Sequence, residues 1–280
     1  MQRHAFRRFL VEDGIRHLIL APLAFLIVFP IVWMVLTSLK PSAETVLWPP
    51  RMLPQAPTFE NYREVFLRWP FLRFFLNSLL VSGVSTVMVL LTSSSAGYAF
   101  AKIKSRAMNV IFFIFIATII VPFESYMIPV YLLVNRLGWL DSYPGLILPF
   151  IIMAFGVFFM RQFFLTLPKE LGEAAKIDGA GHYRTFALIM MPQAVAPMAA
   201  LAIFVFQHWW NDFFWANVFL YSEEKFTLPL GLVRLQGLYG TTPTVVVFAA
   251  IAVVSVPILI VFVFTQKYLT ESLARTGLGG

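Results

Sequence analysis

The stretch Leu167–Pro197 reads LPKELGEAAKIDGAGHYRTFALIMMPQAVAP, a polar island between the apolar stretches Tyr143–Met160 and Met198–Leu220. Pro168 suits the first turn of a helix, where its missing N–H costs nothing. Glu170 and Glu173 near that end complement the helix dipole. Leu171, Ala174, Ala175 and Asp178 are spaced i, i+3, i+4, i+7 and share a face. Gly179 fits the left-handed position that ends a helix. A second helix is expected from about His182 to Met191, with Tyr183, Phe186, Ala187 and Met190 on one side and Pro192 as its limit. The expectation is a short helix, a glycine elbow and a second short helix. Ala174, Ala175 and Ala180 keep one side small, and small side chains let a helix backbone approach a partner closely. Glu173 and Asp178 flank them as charged handles. Two readings stand at this point: a knob that docks into a partner, or a loop helix lying on the membrane surface.

The rest of the chain says what this island interrupts. Of 280 residues, 59% are hydrophobic and 12% charged, with 30 Phe and 7 Trp. Ordinary soluble domains carry about 25% charged residues, so a water-soluble globule is excluded. Disorder is excluded too, because it needs low hydrophobicity. A spanning helix needs roughly 20 mostly apolar residues, and six stretches qualify: Leu18–Leu36, Phe74–Phe100, Val110–Val130, Tyr143–Met160, Met198–Leu220 and Val245–Phe264. The first is too long and too late for a signal peptide and reads as an uncleaved span. The expected fold is all-α: a polytopic membrane protein of six transmembrane helices with a cytoplasmic helix-turn-helix loop. Gly83, Pro122, Pro149 and Pro257 fall inside spans, where such residues mark kinks or close packing.

Lysine and arginine orient the spans. Thirteen lie in Arg3–Arg16, Lys102–Arg106, Arg161–Arg184 and Lys267–Arg275, against eight in the alternate segments. The first set is expected in the cytoplasm, which places both termini inside. The organisation expected is a cytoplasmic segment 1–17, a six-helix domain 18–266 and a cytoplasmic tail 267–280. Within the domain, 40–73 and 221–244 face outward and 161–197 faces inward. The 40–73 segment is rich in proline and is expected to be extended or irregular. The tail ends in Gly277-Leu278-Gly279-Gly280. A net charge of +7 is explained by these topogenic loops, with no need of nucleic acid.

Several chemistries are missing. There is no cysteine, and no G-x-x-x-x-G-K-[ST] phosphate loop, H-E-x-x-H or G-x-S-x-G pattern. His4, His17, His182 and His208 are scattered, so no metal site is expected. The chain is not expected to be an enzyme or to hold a cofactor. Trp209, Trp210, Asn211 and Asp212 lie in the fifth span. An indole beside amide and carboxylate groups suits sugar C–H faces and hydroxyls; alternatively Asn211 and Asp212 bond to neighbouring helices or backbone. Glu124 lines a pathway or reaches the interface. Trp33, Trp69 and Trp139 read as belt residues.

Glu173-Ala174-Ala175-Lys176-Ile177-Asp178-Gly179-Ala180, followed by Ile189-Met190-Met191-Pro192, resembles the E-A-A-x-x-D-G-A signature of permease subunits of binding-protein-dependent ABC importers. The family usually has Leu where Met191 stands, and Gly172 replaces a more helix-favouring residue. The resemblance covers nearly the whole chain and points to the carbohydrate-uptake branch, similar to the second permease of maltose-type importers. Its further matches are Pro57-Thr58-Phe59-Glu60-Asn61-Tyr62, Asn77-Ser78-Leu79-Leu80, Ala96-Gly97-Tyr98-Ala99, Gly145-Leu146-Ile147-Leu148-Pro149, Trp210-Asn211-Asp212-Phe213 and Gln236-Gly237-Leu238-Tyr239-Gly240.

That resemblance implies a prokaryotic inner or plasma membrane location and alternating access driven by two separate ATPase subunits. ATP and Mg would belong to those subunits. It implies a second permease, as a heterodimer, an extracytoplasmic solute-binding protein and a sugar substrate. Glu173, Ala174, Ala175, Asp178, Gly179 and Ala180 become the ATPase-coupling contact, and Tyr221–Thr244 becomes either a touch point for the binding protein or a plain connecting loop. A membrane scaffold or sensor using the same loop to hold a cytoplasmic partner is the alternative.

Overall fold

A computed structural model of the chain describes residues 2–103, 105–236 and 242–277, with the backbone alone for 2–15, 265 and 267–277. Lys104 of the short charged loop, Gly237-Leu238-Tyr239-Gly240 and the terminal Leu278-Gly279-Gly280 lie outside the described residues. The described chain is helical, without strands. In order, the helices are α1 (Gln2–Ser38), α2 (Glu60–Arg68), α3 (Phe71–Lys102), α4 (Arg106–Ala117), α5 (Met127–Arg136), α6 (Tyr143–Ile147) and α7 (Ala154–Thr166). They continue as α8 (Lys169–Ile177), α9 (His182–Arg184), α10 (Met191–Gln193), α11 (Val195–Trp210), α12 (Phe214–Phe219), α13 (Leu228–Gln236) and α14 (Thr244–Gly277). Two compact units emerge, one of Met1–Trp69 with Arg234–Ser255, the other of Pro70–Val233 with Val256–Gly280.

Three helical segments are long and apolar enough to cross a bilayer unbroken: Arg16–Ser38, Phe71–Lys102 and Thr244–Phe264. The other apolar stretches are bent. Arg106–Ile120 and Phe123–Arg136 meet at 102°, and Tyr143–Phe150 and Ala154–Thr166 meet at 44°. Pro122 explains the first: it has no N–H, and the residue before it, Val121, is extended at φ −76°, ψ 116°. At the second, Met153 is extended, and the hydroxyl of Thr92 in α3 donates to the freed Ile151 carbonyl at 2.5 Å. The fifth stretch also departs from a single helix. It runs as α11, stops at Asn211–Phe213 and resumes as α12. A carbonyl or amide released by such a break is tolerated in a membrane only where protein or a wet cavity receives it.

In the first unit, the segment after α1 is less irregular than its proline content suggests. Its first half is loop with one 3-10 turn, but Glu60–Arg68 is helical. The reason is a set of contacts at the end of α1. Asn61 Nδ2 donates to the carbonyls of Ser38 and Lys40 at 2.7 and 2.8 Å, and the Tyr62 and Ser38 hydroxyls are 2.6 Å apart. Asn61 thus supplies donors to carbonyls that the end of α1 leaves unpaired. Lys40 is buried, with Nζ donating to the Arg51 carbonyl at 2.6 Å and lying 4.7 Å from the Trp33 ring centre.

The second unit is built around α3, which packs along α7 and α11. More than half of the buried residues of α3 are small or hydroxylated: Ser78, Ser82, Ser85, Thr86, Ser93, Ser94 and Gly97, with Phe71, Phe74 and Tyr98 buried toward its ends and Val81 and Val89 between. Small residues let helix backbones approach where lipid offers no competing hydrophobic drive. A Cβ on Gly97 would meet the Arg161 backbone nitrogen and Met160 Cβ at 2.8 Å each. One on Gly156, across in α7, would meet Ser93 Oγ at 2.4 Å. Gly83 has open space around it, so the glycines at the α3–α7 contact are Gly97 and Gly156. Replacing Gly97 by Ala pushes α3 off α7 and is expected to cost about 1–3 kcal/mol, as overpacking does. Thermal unfolding of the detergent-solubilised protein checks this; Gly83→Ala should melt within about 2 °C of the wild type or slightly higher, since Ala favours a helix by up to about 1 kcal/mol.

Candidate coupling loop and polar depression

The loop that opens the sequence reading folds as a helix, a glycine elbow and a second helix. α8 ends at Ile177 with Asp178 as its C-cap, and Gly179 takes the left-handed conformation at φ +75°. Gly179 N–H donates to the Lys176 carbonyl at 3.0 Å, and Ala180 N–H donates to the Ala175 carbonyl at 2.8 Å. This pair of bonds is the Schellman arrangement, with Ala175 and Ala180 as its apolar contact. Ala175 is buried, whereas Glu173, Ala174, Asp178 and Gly179 are exposed and Ala180 is half-buried. Ile177 and Tyr183 project from the elbow at 87% and 91% exposure. The six residues singled out in the sequence are therefore together, but split by α8 into an inward Ala175 and an outward edge.

The second arm differs from a plain helix ending at Pro192. It runs α9, then a π-helix over Thr185–Met190, then α10, and turns by 79° into α11. Pro192 stands in the first turn of α10, where it has no N–H to lose. The arm is fixed to the spans by three rings. Tyr98 of α3 lies 5.7 Å from Phe164 of α7 and 5.1 Å from Phe186 of the loop, and Phe164 and Phe186 are 6.4 Å apart. Phe164 is fully buried. The loop is thus joined through a buried aromatic contact to two spans.

The opposite end of α3 carries a polar knot. Asp141, at φ 52°, accepts from Tyr221 and Ser222 N–H at 3.1 and 3.0 Å, from Ser222 Oγ at 2.6 Å and from Lys225 Nζ at 2.7 Å. Burial alone would raise its carboxyl, but the bonds from Lys225, Ser222 and Tyr221 together outweigh it and hold the group far below the usual carboxylate range. Asn77 Nδ2 donates to the Glu224 and Phe226 carbonyls, each at 2.9 Å, and Leu228 N–H donates to Ser78 Oγ at 2.7 Å. Residues 221–228, part of the segment read as an outward loop, are thereby tied down, and Leu228–Gln236 is helical. Nothing in the sequence singled out Asp141. A lone aspartate before Ser-Tyr-Pro signals only a turn, since its partners lie about eighty residues away.

The four residues of the fifth span separate into two groups. Trp209 and Trp210 are buried, the first against Phe150 at 5.8 Å, the second between Phe75 at 5.7 Å and Phe206 at 5.5 Å. Asn211 and Asp212 line an open depression of about 540 Å³ together with Gln207 and His208. There Asn211 Nδ2 donates to the Gln207 carbonyl at 2.9 Å, and the Asp212 carboxylate accepts from Trp215 and Ala216 N–H at 3.5 and 3.2 Å. Asp212 so starts α12 and makes the break in the span. The sequence does not single out Gln207, or His208 as a neighbour of Asn211 and Asp212 in such a depression. Gln207 precedes Asn211 by one turn, and that i, i+4 spacing was the available signal. Glu124 is exposed in the turn after Pro122.

Bent spans, a helix–glycine–helix loop keyed into the bundle, and close glycine packing define a polytopic helical membrane protein of transporter type. The chain belongs to the binding-protein-dependent transport system inner membrane component family, which residues 88–275 match. It is 37% identical over 268 residues to the arabinooligosaccharides transport system permease protein AraQ of Halalkalibacterium halodurans, covering 92% of this chain and 93% of that protein. It is 31% identical over 270 residues to the diacetylchitobiose uptake system permease protein NgcG of Streptomyces coelicolor, covering 94% and 87%. Among solved structures, a chain from a bacterial ABC transporter involved in the import of the acidic polysaccharide alginate matches with a TM-score of 0.83 at 26% identity, over 92% of this chain and 96% of that one. The chain is therefore a permease component of an ABC importer.

The polar knot yields a test. A carboxyl held low contributes stability that is present above its ordinary range, about pH 4, and lost as pH falls through the depressed value. Stability from Asp141 should be constant between about pH 5 and about pH 8, both about one unit or more above that range. Asp141→Asn loses the ion pair and is expected to lower the melting temperature at both pH values alike. Limited proteolysis should then cut within 221–228, and an uncut variant melting as the wild type does would refute the tie.

Proposed function

We propose that this chain is one of two permease subunits that carry a carbohydrate inward across a prokaryotic inner membrane, and that loop 161–197 receives the drive of separate ATPase subunits. Both termini and this loop lie in the cytoplasm in this reading; 40–73 and 221–244 face outward, toward a solute-binding protein. The partner permease is a different chain. The single observation that carries the reading is the exposed elbow: Glu173, Ala174, Asp178 and Gly179 are open to a partner, while the Tyr98–Phe164–Phe186 rings fasten the same loop to the spans.

The mechanism follows from that joint. ATP closes the ATPase dimer and moves the docked elbows together. Because the loop is packed into α3 and α7, it cannot be displaced without moving them. The energy is the difference in binding between two conformations, as any switch requires. The sugar would pass the depression of Gln207, His208, Asn211 and Asp212, whose amide, imidazole and carboxylate groups can exchange hydrogen bonds with hydroxyls. Carbohydrate is favoured as the cargo class because the named relatives are permeases for arabino-oligosaccharides and diacetylchitobiose. The chain makes and breaks no covalent bond itself.

The test is uptake of labelled arabino-oligosaccharide into vesicles holding the full assembly, with ATP turnover measured alongside. Ala174→Trp adds bulk to the outward edge and is expected to lower substrate-stimulated ATP turnover and uptake at least tenfold, with unchanged membrane insertion. Phe186→Ala should lower uptake more than turnover, because the joint then slips while the motor still runs. Full turnover and full uptake in Ala174→Trp would sink the coupling role. Stable assembly with ATPases but no solute uptake would instead mark a scaffold or sensor.

A further inference from the structure

Two neighbouring recesses at the Lys102 end of α3 lie beside the coupling elbow and share Glu173, Tyr98 and Phe186 with it. The first, about 280 Å³, is bounded by Lys102, Lys169, Lys176, His182 and Glu173 beside Tyr98. Three ammonium groups against one carboxylate leave an excess of positive charge in a small space. Among the described residues none of the three lysines forms an ion pair, and the one hydrogen bond recorded from their ammonium groups runs from Lys102 Nζ to the Leu167 carbonyl at 3.3 Å. Like charges gathered in this way repel one another and favour an entering anion. The second recess, about 340 Å³, shares Tyr98 and His182 as a common wall and is otherwise lined mainly by Ala99, Ile103, Tyr183 and Phe186. Its surface is apolar, and Ile103 and Tyr183 stand exposed at its rim.

A cationic recess beside an apolar one matches the two ends of a single amphipathic anion. Both adjoin the end of a span, where lipid headgroups meet water. We propose that the pair is a binding site for one anionic phospholipid, with its phosphate among Lys102, Lys169 and Lys176 and the start of an acyl chain against Ile103, Tyr183 and Phe186. Basic pockets between spans on the cytoplasmic side recognise such headgroups. This inference rests on the reading that loop 161–197 lies on the cytoplasmic side of the membrane.

The site has a consequence for coupling. Lys169, Gly172, Glu173 and Lys176 line the first recess and form one stripe of α8. Ala174, Ile177 and Asp178 lie on the other, exposed side. A phosphate held between Lys102 of α3 and the lysines of α8 would brace the elbow against the span. The same lipid that solvates the bundle would thereby set the stiffness of the joint.

The experiment uses the full chain, purified, stripped of lipid and placed in neutral detergent. Native mass spectrometry counts lipid retained on titration with phosphatidylglycerol, phosphatidylcholine or inorganic phosphate, with no ATP and no sugar present. The wild type should retain phosphatidylglycerol in preference to phosphatidylcholine. The double variant Lys102→Gln with Lys169→Gln should lose that preference by on the order of 30-fold. Ile103→Ser should weaken phosphatidylglycerol severalfold and leave inorganic phosphate unchanged. If the double variant unfolds, Lys169→Glu alone, at a solvent-exposed residue of the recess-lining stripe, replaces it and should lose the preference likewise. A wild type without preference, or variants that keep it, overturns the proposal. So does a result in which inorganic phosphate displaces the lipid and Ile103→Ser has no effect, since the site then takes free anions. Lipid retention is read apart from ATP turnover and uptake, so failure here leaves the transport reading standing, and failure of transport leaves this result readable.

Discussion

Tyr98 packed between Phe164 and Phe186 is the contact on which the rest of the second unit turns. It fastens a water-facing loop to two apolar helices in a bilayer, where the hydrophobic effect gives helices little reason to associate. The rings replace that missing drive with dispersion and edge-to-face contact over a large area. Phe164 is fully sealed from solvent and Tyr98 nearly so. In the proposed coupling role, a push on the exposed elbow would reach α3 and α7 through these rings.

The same helix makes this transmission possible along its length. α3 has 32 residues, about 48 Å at 1.5 Å per residue. At one end it holds the aromatic joint; at the other, Asn77 and Ser78 hold the 224–228 segment. Between them, Gly97 and Gly156 bring α3 and α7 so close that a methyl group would not fit without movement. Close-packed surfaces of this kind shift between discrete arrangements and do not deform smoothly. α4, α7 and α11, by contrast, adjoin breaks, and each break leaves polar backbone that a side chain such as Thr92 or Asp212 must satisfy. Rigid shaft and broken neighbours are a division of labour suited to alternating access.

Much of this was readable from residue order. Six apolar stretches and low charge follow from the solvent each segment must meet, which is a local property. The elbow was equally legible: Pro168, two glutamates and Gly179 announce a helix start and stop within one short segment, and the Schellman bonds at Gly179 and Ala180 reach no further than five residues. The family signature falls on that same segment because its shape is locally encoded.

What residue order could not supply is which side chain meets which across the bundle. Trp209 and Asn211 are two residues apart and equally plausible as pathway groups, yet the tertiary structure seals the tryptophan against Phe150 and leaves the asparagine on an open depression. Gly83 and Gly97 look alike in sequence, and packing against Met160 and Arg161 makes only Gly97 a contact point. Asp141 became the centre of a knot because the fold brings Ser222 and Lys225 to it. Helix starts, stops and solvent are decided by interactions within about one turn of chain; partners, burial and the bends in three spans are decided by contacts between segments far apart in sequence, and those exist only once the bundle has closed.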